Sequence, residues 1–211
     1  MSDIEEVSAE LPDEPLDEKS APLNRAEDGP FDADEANPAR PYVDLGGLKI
    51  LPREGLHLRL EVEEGTNRVV AVGLDYAGST LQVQAFAAPR STGLWHEIRA
   101  QIEDQIAKQG GTSTQRDGVF GPELVGEVPL AAGAEAQGSR LARFVGVDGP
   151  RWFLRGVIAG EALTSPAAEL AVEELFRSVV VVRGGQPMPP RDLIPLTMPK
   201  TASTAPPSAS A

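Results

Sequence analysis

Residues 56–63 alternate without a break: Leu56, Leu58, Leu60 and Val62 fall on one side, His57, Arg59, Glu61 and Glu63 on the other. A period of two with one apolar side predicts a half-buried strand. Gly65-Thr66-Asn67 reads as a three-residue loop into a second strand. That loop sets Val62 opposite Val70, Leu60 opposite Val72 and Leu58 opposite Leu74. A slip of one residue would set apolar against charged positions, so the register is strongly specified. A third strand is expected over 81–88. The period then changes. Trp95, Ile98, Ile102 and Ile106 recur every three or four residues, while Glu97, Arg99, Glu103, Asp104 and Lys108 take the other side. This predicts an amphipathic helix within 92–109, capped by Ser91 or Thr92 and stopped by Gly110-Gly111.

Two more strands are expected in 112–130 around the turn 117–122, followed by a mobile loop over 131–138. A second hairpin joins 140–147 to 151–159 through Asp148-Gly149-Pro150. Ser165-Pro166 supplies an N-cap and a first-turn proline for a second helix through Ala171, Val172, Leu175 and Phe176. Val179–Val182 is a β-branched run, which predicts an interior strand. Pro187–Pro199 is extended and packs along a sheet edge. The order β-β-β-α-β-β-β-β-α-β predicts an α+β fold, with a mainly antiparallel open sheet and two amphipathic helices.

Charge changes the picture at the ends. Residues 1–40 hold 13 acidic and three basic side chains, and so carry −10 of the chain's net −13. With few large apolar residues, this acidic segment is expected to be disordered. Residues 200–211 are low-complexity and are expected to behave alike. A single domain over 41–199 remains, and it is nearly neutral. The acidity disfavours nucleic acid and anionic lipid as partners. Cysteine is absent, which removes disulfides, thiol nucleophiles and cysteine-ligated metals. With no leader-like start and no apolar run of membrane-spanning length, a cytoplasmic protein is expected.

Candidate chemistry is sparse. His57 sits opposite Asp75 in the first hairpin register, the pairing that orients an imidazole in hydrolase triads, with Ser79 and Thr80 near in sequence. With no nucleophile placed beside it, an exposed cross-strand pair is the expected reading. His96 beside Trp95 reads as boundary packing. The ordered body shows no metal-ligand spacing, and Gly118-x-x-Gly121 and Gly184-Gly185 match no phosphate-binding loop. No cofactor is expected. Pro187-Met188-Pro189-Pro190-Arg191 has polyproline spacing.

The second hairpin carries the strongest site. Its loop sets Val147 opposite Arg151, Val145 opposite Phe153 and Arg143 opposite Arg155. Trp152 then shares a face with Phe144 and Leu154, as a core anchor. Two opposed arginines repel, so an anion should bridge them: Glu173 or Glu174 from the second helix, or a ligand. Arg143, Arg151 and Arg155 are therefore the candidate anion or partner surface.

The segments AFAAPRSTGLW (85–95), FVGVDGPRWFLRGVIAG (144–160) and VVVVRGGQPMPPRDLIPLTMP (179–199) resemble an uncharacterised actinobacterial family, a domain of unknown function often encoded near the dUTPase. The resemblance covers most of 42–199 and implies no activity or catalytic residue. The function expected from the residues is a non-catalytic binding module for a protein partner or a small anionic ligand. The alternative is an enzyme on a phosphorylated or nucleotide substrate, with Arg143 and Arg155 as an anion clamp.

Overall fold

The computed structural model describes residues 18–129 and 138–199. Along the chain come α1 (Arg25–Asp28), β1 (Phe31–Asp32), β2 (Val43–Asp44), β3 (Leu48–Ile50), β4 (His57–Val62), β5 (Val69–Tyr76) and β6 (Ser79–Ala87). Then follow α2 (Trp95–Lys108), β7 (Thr112–Gly118), β8 (Gly121–Pro129), β9 (Ser139–Asp148), β10 (Trp152–Gly160), α3 (Pro166–Arg177) and β11 (Val180–Val181). The fold is α+β. Seven antiparallel strands form the main sheet in the order β4-β5-β6-β10-β9-β8-β7, and a small sheet has the order β1-β11-β3-β2. The valine run lies inside the small sheet, between β1 and β3, with Val179, Val180 and Val181 fully buried.

The main sheet has two unlike faces. On one, Val72, Leu74, Leu81, Val83, Val145, Val147, Leu154 and Ile158 meet Val172, Leu175 and Phe176 of α3 and Leu48, Ile50 and Val181 of the small sheet. This is the principal core. On the other, Trp95, Ile102 and Ile106 of α2 pack on Leu124 and Phe153. α2 lies mainly over β7, β8 and β9, with Trp95 reaching Phe153 of β10 and Phe86 at the border of that cluster, so most of the same face of β4, β5 and β6 is left without a helix. The trace is plain along β6, where Ser79, Leu81, Val83, Ala85 and Ala87 are buried and Thr80, Gln82, Gln84 and Phe86 are partly exposed.

The first hairpin pairs Leu58 with Leu74, Leu60 with Val72 and His57 with Asp75, as the alternation requires. A bulge after Glu61 sets Val62 opposite Val69 rather than Val70. α3 starts as expected, with Ser165 accepting from the Ala168 N–H at 3.4 Å and Pro166 in the first turn.

Four expectations are corrected. First, residues 18–40 are not a disordered stretch. Arg25 and Glu35 form an ion pair at 2.6 Å, β1 adds to β11, and Asp32 accepts the indole N–H of Trp152 at 2.8 Å. Residues 1–17, 130–137 and 200–211, which include the remaining disorder and mobile-loop expectations, lie outside the described residues. Second, α2 is not capped by Ser91 or Thr92. Asp148 accepts from the N–H groups of Leu94 and Trp95, at 2.8 and 3.4 Å. Third, that role takes Asp148 out of the hairpin loop and moves the second hairpin register by three. Arg155 faces Gly146, Arg143 faces Ile158 and Leu154 faces Val147. Trp152 is fully buried, but with Leu154 and Val147 in the principal core rather than beside Phe144. Fourth, the proline-rich segment does not run along an edge. Leu193 bridges Phe86 and Leu196 bridges Val69, so the segment fills the opening where β5 and β6 part beyond the Val72–Val83 pair.

Candidate functional site

An odd shift in register moves residues between faces. Arg143 and Arg155 therefore project from opposite sides of the sheet and form no clamp. Arg151 is in a third place, at the hairpin turn, where it donates to the Gly184 carbonyl at 3.4 Å.

Arg143 lies under α3 and is fully enclosed, with 1% of its side chain exposed. Its Nε donates to Glu123 at 2.9 Å, Nη1 to Glu169 at 2.9 Å and Nη2 to Glu173 at 2.7 Å. Arg116 from β7 also donates to Glu123 and Glu169. Burial alone would lower the Arg143 pKa; the hydrogen bonds it donates to Glu123 and Glu173 outweigh that and raise the pKa above the ordinary arginine value. A planar fork that meets three carboxylates joins β8, β9 and α3. A hollow of about 300 Å³ adjoins the cluster, between Val119 and Leu170. Glu173, one of the two residues expected to bridge Arg143 and Arg155, accepts from Arg143 alone and does not bridge them.

Arg155 lies on the face that α2 leaves uncovered. Its Nη2 donates to Gln84 Oε1, and its guanidinium lies 5.7 Å from the Phe86 ring centroid. Its Nε is buried and has no hydrogen-bond partner. Burial lowers its pKa, with no carboxylate to oppose the effect. The carboxylates of this face are engaged elsewhere. Asp75 accepts from Arg59 at 2.7 Å and from Thr80 at 2.8 Å. Glu61 accepts from Gln82. Among the described residues, Arg155 is thus a half-buried cation whose only hydrogen-bond acceptor is a neutral amide. Gln84, which supplies that amide, carried no signal in the sequence. Its face could be read from the alternation of β6, but its partner could not.

His57 stands opposite Asp75 as expected, but hydrogen bonds from Arg59 and Thr80 hold that carboxylate below its usual pKa. Ser79 is on the buried face. It donates to the Ala77 carbonyl at 3.2 Å and accepts from the Ala162 N–H at 2.8 Å. The three side chains do not form a triad. No group of three or more His, Asp or Glu among the described residues is placed to hold a metal ion. None of the described helices is long and apolar enough to cross a membrane.

Asp148 was placed in a loop by the sequence reading and proves to be a central organising residue. It is 2% exposed and accepts from three backbone N–H groups, of Ser20, Leu94 and Trp95. Burial raises its pKa against those bonds.

No curated protein and no solved structure matches the chain significantly. A family model described as "Protein of unknown function (DUF3710)" matches residues 29–205, beginning inside the acidic stretch that packs on the domain. The chain belongs to the DUF3710 family of proteins of unknown function.

Proposed function

We propose that this protein is a cytoplasmic, non-catalytic binding module, whose uncovered sheet face takes a carboxylate-bearing segment of a partner. Arg155 carries the reading. A buried N–H without a partner costs free energy, and a desolvated cation costs more unless an anion meets it. Arg143 shows how the same fold treats a guanidinium that has structural work alone: all three of its donor nitrogens are met by carboxylates. Arg155 has an amide, an aromatic ring and an unused donor. Around it, Gln82, Gln84, Phe86 and Val157 form a partly exposed, mixed polar and apolar surface, the composition of a docking face.

Acetate is the simplest probe of that chemistry. It should shift the Arg155 Nε–H resonance and raise the melting temperature of the full chain above that in chloride at equal ionic strength, which controls for screening. Arg155→Met should remove both responses. Equal responses in the two salts, or a response that survives the substitution, would show that the face does not receive an anion.

A further inference from the structure

We infer that the small sheet carries a second site, a cleft for a small organic phosphate whose head meets Arg40 and Lys49 and whose apolar body lies against Tyr42. Leu48 and Ile50 of β3 enter the principal core, so Lys49 between them points to the other side of the small sheet. Val180, its partner on β11, shares that side and is fully buried, so the side is covered. The chain after β1 supplies the cover. Ala33, Ala36 and Pro38 wall a pocket of about 250 Å³, which Arg40, Tyr42 and Lys49 also line. This wall is fastened. Arg25 donates to both carboxylate oxygens of Glu35, at 2.7 and 2.6 Å, and the Ala33 N–H donates to the Val181 carbonyl at 3.0 Å. Asn37 then turns the chain, accepting the Ala39 N–H through Oδ1 at 3.0 Å and the Arg40 N–H through its carbonyl at 3.3 Å.

The pocket gathers two cations and little to neutralise them. Among the described residues, neither Arg40 nor Lys49 has an ion-pair or side-chain hydrogen-bond partner. Asp44 stands opposite Lys49 in the register, but its Oδ1 accepts the Gly46 N–H at 2.8 Å in the turn that leads to β3. Asp32 and Glu35 of the wall are held by Trp152 and Arg25. An anion placed between Arg40 and Lys49 therefore gains both charges. Asn37 keeps its Nδ2 for donation, and Tyr42 adds a hydroxyl. These donors come from two stretches of chain, 37–42 and β3, and a tetrahedral phosphate presents oxygens to both at once. The chain's net charge of −13 repels a free anion at long range, so the attraction acts at contact. Tyr42 and Asp44 also line a larger cleft of about 710 Å³, together with Val43, Gly46, Thr197 and Met198. A head in the small pocket leaves the body in this cleft, on aliphatic side chains and the Tyr42 ring. Spaces of this size and mixed lining are those of small-molecule sites.

Phenyl phosphate is the probe, with inorganic phosphate and benzoate as references at equal ionic strength. In amide and methyl NMR of the full chain, phenyl phosphate should shift the signals of Arg40, Tyr42 and Lys49 and the methyl signal of Met198. Its midpoint should lie at roughly one tenth of the concentration that inorganic phosphate requires, because phosphate alone has no body to bury. Benzoate should need more than phenyl phosphate. Arg40→Met with Lys49→Met should abolish the shifts and leave the rest of the spectrum unchanged, and Tyr42→Ala should bring phenyl phosphate level with inorganic phosphate. The site does not depend on the binding-module reading, so Arg155→Met should leave all of these responses intact. Absence of shifts at Arg40 and Lys49 in the wild type overturns the inference, as do shifts that persist in the double variant. Equal midpoints for phenyl phosphate and inorganic phosphate would remove the apolar body from it, and benzoate matching phenyl phosphate would remove the phosphate; either result overturns the assignment of an organic phosphate.

Discussion

Replacing Arg143 with methionine is the sharpest test of the charge cluster under α3. Glu173 accepts from Arg143 alone and is 10% exposed, so it loses its whole compensation. Glu123 is 1% exposed and keeps Arg116; Glu169 also keeps Arg116 and is 35% exposed. The penalty therefore falls mainly on Glu173, with a smaller share on Glu123. Breaking a buried charge pair by removing one partner typically costs about 3–5 kcal/mol, and the surviving Arg116 contacts place this case near 3. Urea denaturation of wild type and variant measures the loss directly. A protonated carboxyl is far less costly to bury than a carboxylate, so the variant's folded state favours the proton and its deficit should shrink as pH falls from about 7 to about 4.5. Arg143→Met combined with Glu173→Met should recover much of the loss, since an apolar replacement of a whole buried pair is often neutral. A loss under about 1 kcal/mol, or a deficit that widens in acid, would mean that the carboxylates are solvated and that the cluster does not hold the sheet to α3.

Two further outcomes follow from the packing. Deleting residues 1–40 should lower the melting temperature by more than about 4 °C, because it removes β1, the cover over Trp152 and the Ser20 contact to Asp148; a melting curve within about 2 °C of wild type would mean that this stretch adds nothing. Carboxyl NMR titration should place Asp148 above its ordinary range, since burial raises it, and Asp75 below, since Arg59 lowers it. The linkage is then opposite in sign for the two. The Asp148 contribution is present below its unfolded-state pKa and lost as pH rises through the elevated folded value, whereas that of Asp75 is present at neutral pH and lost as pH falls through the depressed one. Finding the two midpoints in the reverse order would sink this account.

The two hairpins show why one register was legible and the other was not. In β4, every odd position is charged or histidine, so a slip would bury charge, and the pattern alone excludes it. In β9 and β10 both faces are apolar. Val145 and Leu154 enter the core under α3, while Phe144 and Phe153 pack on the α2 side. An odd slip exchanges one apolar set for another, so the pattern has no preference. The choice is made by Asp148, whose carboxylate must reach the first N–H groups of a helix about fifty residues earlier. Nothing within the hairpin encodes that distance. The acidic stretch failed for a similar reason. Composition counts charges but not partners, and Arg25 with Glu35 and Asp32 with Trp152 turn a disorder-like segment into part of the domain. The helices were legible because their signals are local: a period near 3.6, a Ser-Pro start and a Gly-Gly stop.

The misplaced register had one further effect, on the site. With Arg143 and Arg155 thought to face each other, their cost was shared, and a single anion could relieve both. On opposite faces each must be met separately. Arg143 is met three times, by glutamates from β8 and α3. Arg155 shares its face with Asp75 and Glu61, and both are already bound to other side chains. Moving either toward Arg155 would break an existing bond on the same face, so the described residues cannot relieve it by a local rearrangement. On the proposed reading, a partner's carboxylate supplies that compensation.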